Sequence, residues 1–133
     1  MPQPRRHVRP IEPVVGDGLE AIRDELGVPT AFPDDVLAAA AALGPVPEAG
    51  RVDRRDLAMC TIDPEGSTDL DQALAIEPVP GGHVVWYAIA DVAAFVAPGD
   101  PIDVESRRRG VTLYSPDGRA PLHPPALSED LAS

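Results

Sequence analysis

The spacing of apolar residues changes character part-way along this chain. In the stretch DGLEAIRDELGVP, Leu19, Ile22 and Leu26 fall on one face of a helix. Asp17 stands at the N-cap position, Glu20 three residues later completes a capping box, and Gly27 with Pro29 marks the stop, so a helix is predicted near residues 18–26. FPDDVLAAAAALGPVP repeats the grammar. Pro33 sits in the first turn, Asp34 and Asp35 lie at the positive end of the dipole, and Gly44-Pro45 terminates a second helix over 33–43. Two short helices bury little area alone, so this region is expected to pack on the later part of the chain.

After the loop PVPEAG a two-residue period takes over. DLAMCTI (56–62), QALAIEPV (72–79) and HVVWYAIADV (83–92) read as strands, and the Pro-Gly-Gly between the last two suits a hairpin. GDPIDVESRRRG then restores helical signals over 101–109, with Asp100 as cap, Pro101 at the first position, Gly110 as stop and RRR at the negative end. VTLY (111–114) is one more short strand. From residue 116 onward four prolines and no amphipathic face leave an irregular tail. The pattern predicts an α/β (α+β) fold, with a mixed, largely antiparallel sheet over 56–90 and around 111–114 and helices flanking it. Residues 1–50 form an extended arm and a two-helix segment, and 51–133 a second unit.

Composition narrows the function classes. A 44% hydrophobic content over 133 residues suffices for one core, but aromatics make up only 4%, so Val, Leu, Ile and Ala must build it. The single cysteine, Cys60, excludes an internal disulfide and a cysteine-based zinc site; it fits a reducing, cytoplasmic setting, and its apolar strand assigns it to the core. No run of 18 apolar residues occurs, and MPQPRRHVRP is not followed by an apolar segment, so neither a membrane span nor a secretory signal is supported. His7, His83 and His123 are too scattered for a shared metal site. Asp91 reads as a cap or turn acceptor. A net charge of −11 argues against nucleic-acid binding. That objection weakens if carboxylates hold cations and if basic residues gather at 5–9, 51–55 and 107–109.

The segment TIDPEGSTDLDQA concentrates the chemistry, with Asp63, Asp69 and Asp71 inside nine positions. Three readings are open: a solvated acidic loop, a calcium loop whose ligand spacing is wrong, and a magnesium site for phosphate-ester chemistry. Two carboxylates about 4 Å apart repel by roughly 4 kcal/mol at an effective dielectric of 20, and a divalent ion between them reverses the sign. In extended chain 69 and 71 share a face, and a turn through Pro64 and Gly66 can fold Asp63 back towards them. Three oxygens could then converge on one cation.

TIDPEGSTDLDQA, YAIADVAAFVAPGDPIDVESRRRGVTLY and APLHPPALSEDLAS, in that order, resemble the opening part of the catalytic domain of the ribonuclease II and ribonuclease R family, the RNB domain, over about Arg51 to Ser133. The resemblance implies a processive 3′ to 5′ exoribonuclease that uses magnesium, with manganese as a possible substitute, and cuts single-stranded RNA to nucleoside 5′-monophosphates; neither DNA nor membrane is an expected partner. By the same resemblance Asp63, Asp69 and Asp71 are metal-binding and catalytic, and Tyr114 packs on the terminal nucleotide. Arg109, just ahead of Tyr114, is a candidate phosphate contact. The family's fourth aspartate is here Gln72, whose carbonyl oxygen could still face a cation but brings no charge. Family members continue for several hundred residues further and place a phosphate-clamping arginine there, so the chain is expected to be partial and weakly active or inactive by itself. The rival reading is a non-catalytic RNA-binding or protein-interaction module that keeps the RNB fold.

Overall fold

The structure is a computed structural model that describes residues 13–133; the basic cluster at 5–9 lies outside the described residues. Helix α1 runs Pro13–Glu25. Pro13 opens it, as suits a residue without an amide hydrogen, so Asp17 lies inside the helix and does not cap it. The Leu19, Ile22, Leu26 face does not pack as its spacing predicts: α1 buries no residue and is held instead by Arg23, which donates to both carboxylate oxygens of Asp117 at 2.8 Å.

Helix α2, Asp34–Ala41, begins directly after Pro33, whose extended backbone places it at the cap. Its Val36 and Ala40 enter the core. Helix α3, Pro101–Arg109, is capped as the sequence indicates: the Asp100 side chain accepts from the Asp103 amide at 2.8 Å, and Asp103 accepts from the Gly99 amide at 2.8 Å. α2 packs on α3. Val36, Ala40, Ile102, Leu127 and Ala132 make the centre of the core, with Phe32, Phe95 and Leu131 around them. The proline-rich tail, which shows no amphipathic face, thus supplies the most enclosed side chain of the molecule's described part, Leu127 at 0% exposure. Prolines explain this. Pro124 fixes the entry, and its carbonyl accepts from the Leu127 and Ser128 amides to start a single π-helical turn, Leu127–Leu131.

Strand β1, Gln72–Val79, pairs antiparallel with β2, Gly82–Ile89, through Pro80-Gly81; Gly81 has φ 85, a left-handed conformation that excludes most side chains. β2 stops before Asp91, and a 3-10 turn, Val92–Ala94, comes next. Segment 56–62 is not a strand. Only Cys60 bridges to Leu74, because the Leu57 and Met59 amides are taken by the Arg54 and Leu57 carbonyls in local turns. Cys60 is accordingly exposed, not core. Strands β3, Leu113–Ser115, and β4, Gly118–Ala120, form a second antiparallel pair with Tyr114 opposite Arg119. The fold is therefore α/β in the α+β sense, with helices beside two small antiparallel ribbons in place of one continuous sheet. Among the described residues no helix is long and apolar enough to cross a membrane.

Candidate functional site

The acidic segment is a loop pinned at both ends. Cys60 and Leu74 exchange two amide–carbonyl bonds at 2.9 Å, and the Ala90 amide donates to the Asp71 carbonyl at 2.8 Å. Between them Gly66, at φ 91, turns the chain, and the Ser67 amide closes on the Pro64 carbonyl at 3.1 Å. The last residues of the chain hold the loop from outside. Ser133 Oγ accepts from the Leu70 amide at 3.0 Å and donates to the Thr68 carbonyl at 2.8 Å, and Thr68 Oγ1 donates to Glu129 at 3.1 Å.

Asp71 borders a cleft of about 400 Å³ that it shares with Arg51, Gln72 and Asp91, and two smaller ones. Asp63, Asp71, Gln72 and Tyr87 line one of about 260 Å³. Asp69, Asp71, Tyr114, Arg119 and His123 line the other, of about 190 Å³. Asp69 and Asp71 share a cleft, but across a tight turn in which the Asp71 amide donates to the Asp69 carbonyl at 3.1 Å and not along extended chain, and the three carboxylates do not converge: among the described residues no three acidic, histidine or cysteine side chains are grouped to hold one ion. Asp69 is already engaged. Its carboxylate pairs with Arg119 Nη1 at 3.2 Å, and Nη2 of the same guanidinium pairs with Glu129, drawing Asp69 to the β4 side. Gln72 gives one lone pair of its side-chain oxygen to the Tyr87 hydroxyl and retains the other.

Tyr114 is 74% exposed, an aromatic face open to a ligand beside Asp69 and Asp71. Arg109 is not available for RNA. Its side chain is 2% exposed, paired with Glu105 at 2.8 Å, bonded to the carbonyls of Pro29, Ala31 and Pro121, and stacked 3.8 Å from the Phe32 ring centroid. Arg107 and Arg108 likewise fold back on Asp103 and Glu105 of their own helix. Asp91, expected to cap, makes no side-chain cap bond and pairs with Arg51 at 2.7 Å. Sequence reasoning undervalued His123 and Arg119. His123 Nδ1 is buried without a partner among the described residues, and burial pushes its imidazole below the usual range. The readable signal for Arg119 was Ser-Pro-Asp-Gly at 115–118, a turn sequence that folds it back beside Tyr114.

The family model for the RNB domain matches residues 51–133. The chain belongs to the RNB domain family. Within it, the chain is 47% identical over 92 residues to ribonuclease R of Escherichia coli (strain K12), which covers 66% of this chain and 11% of that protein. It is 44% identical over 84 residues to the inactive exonuclease DIS3L2 of Arabidopsis thaliana, covering 62% of this chain and 8% of that one. Solved structures of Mycoplasma genitalium RNase R, in complex with double-stranded RNA or with ribose-methylated single-stranded RNA, superpose with a TM-score of 0.81 at 34% identity, covering 87% of this chain and 21% or 19% of theirs. The chain thus spans a small part of these relatives.

The RNB residues suit a hard divalent cation by donor chemistry. Magnesium takes oxygen ligands, keeps several waters and needs only one or two protein carboxylates, which the Asp69–Asp71 and Asp63–Asp71 pairs supply. A guanidinium already standing on Asp69 indicates that this position favours positive charge.

Proposed function

We propose that this chain is the metal-binding part of a 3′ to 5′ exoribonuclease that hydrolyses single-stranded RNA to nucleoside 5′-monophosphates with magnesium or manganese. The observation that carries the reading is one cleft in which Asp69 and Asp71 lie beside the open ring of Tyr114. The RNA-bound ribonuclease R structures support an RNA ligand. Tyr114 holds the terminal base by stacking, which is indifferent to sequence and worth about 1–3 kcal/mol. Asp71, which lines both smaller clefts, with Asp69 in one and Asp63 in the other, would hold the cations. What these would contribute is neutralisation of phosphate charge and activation of water. The chain's own share is positioning, since no side chain here is set up for covalent attack. The lone Cys60 supports a cytoplasmic setting as part of this reading.

A second reading, a non-catalytic RNB module that binds RNA or protein, is favoured by Gln72, which lacks the fourth carboxylate charge and is engaged by Tyr87, and by the likeness to an inactive exonuclease. One experiment separates them. The chain is joined to the remainder of an RNB domain and incubated with a labelled single-stranded oligoribonucleotide and magnesium. Mononucleotide release that Asp71→Asn abolishes, while the gel shift persists, is the expected result; a shift without release in the parent protein overturns catalysis. The 133 residues alone are expected to release little or nothing.

A further inference from the structure

Arg119 is the cationic side chain lining the 190 Å³ cleft, and it sits on a carboxylate that the proposed function gives to the cation. Its guanidinium bridges Asp69 and Glu129, and Glu129 is itself held by Thr68 of the acidic loop, so one side chain ties β4, the final turn and the aspartate segment together. The bridge is about one-third exposed, where an ion pair is worth only about 0.2–1 kcal/mol and is readily exchanged. Across the β3–β4 pair Arg119 faces Tyr114, and directly opposed residues stand about 5 Å apart at Cβ. A base stacked on Tyr114 therefore brings its phosphate within reach of this guanidinium.

Resting on the cation reading of the same site, we propose that Arg119 is an exchangeable counter-ion: without metal it neutralises Asp69, and when a divalent cation takes Asp69 the guanidinium is released to the RNA phosphate. A single positioning residue thereby couples cation occupancy to phosphate recognition.

The test is manganese binding to the 133-residue chain, monitored by electron paramagnetic resonance, in wild type, Arg119→Gln, Asp69→Asn and the double variant. Removing the competitor should tighten binding about 1.5- to 5-fold, as expected for an exposed pair. The gain should vanish in the Asp69→Asn background, whereas a long-range charge effect would survive there. Circular dichroism melts identify a misfolded variant, in which case Arg119→Lys, which keeps the charge but loses the two-pronged bridge, is expected to give a smaller gain in the same direction. Equal or weaker affinity in Arg119→Gln, or a gain that persists without Asp69, overturns the exchange. If Asp71→Asn leaves manganese binding unchanged, the cation reading itself falls; if Asp71→Asn weakens it and Arg119→Gln does not strengthen it, only the role of Arg119 falls. A second arm measures anisotropy of a 5′-labelled single-stranded oligoribonucleotide with and without manganese. Bound manganese raises affinity by itself, so the rise should be larger in wild type than in Arg119→Gln; an equal or larger rise in Arg119→Gln, or no rise in either, refutes the phosphate half.

Discussion

Replacing Glu105 with glutamine probes the ion pair that holds the frame of the cleft. Glu105 receives Arg108 at 2.7 Å and Arg109 at 2.8 Å, and Arg109 in turn ties α3 to the carbonyls of Pro29 and Ala31 before α2 and to Pro121 after β4. Hydrogen bonding from Arg108 first, then from Arg109, outweighs burial and lowers the carboxyl from 4.5 to about 2. A folded value below the unfolded one means a stabilising contribution that is full above about pH 4.5 and disappears as pH falls towards 2. At about 1.4 kcal/mol per pH unit the ceiling is roughly 3 kcal/mol. Arg108, its first partner, remains 60% exposed, so solvent screening brings the figure to about 1–2 kcal/mol. With a urea slope of about 1–3 kcal/mol per molar, the Glu105→Gln midpoint should fall by roughly 0.3–2 M at pH 7. Urea titrations at about pH 7, 5, 3.5 and 2.5 check it. Equal midpoints at pH 7, or a gap that does not narrow between about pH 5 and 2.5, would refute the reasoning.

Leu127→Ala empties the centre of the core and should cost about 2–5 kcal/mol in urea denaturation, despite its place in a proline-rich tail. Gly110→Ala meets no neighbouring atom within 4 Å but forces a side chain into φ 78, so a loss of about 1–2 kcal/mol would report backbone strain alone. Tyr114→Ala should weaken binding of a single-stranded oligonucleotide about 5- to 150-fold by filter binding, whereas Tyr114→Phe, which keeps the ring, should bind as wild type.

Local rules read the α3 cap, the Pro80-Gly81 hairpin and the existence of both its strands, though not the end of the second, directly from the chain, because capping carboxylates, a proline before a left-handed glycine and β-branched or aromatic side chains each act within a few residues. The likeness to RNB proteins was legible in the same way, in the order of Asp63, Asp69, Asp71 and Tyr114 along the sequence. What sequence could not decide was pairing over distance. Segment 56–62 alternates like a strand, yet its amides are satisfied by turns; Arg109 looks like a surface cation, yet three carbonyls and Phe32 enclose it. The partner of Asp69, Arg119, stands 50 residues away in the chain, and the β3–β4 turn carries it to the loop. Composition and spacing state which charges exist, but a charge acts on whatever lies within a few ångströms, and only the folded chain determines that neighbour.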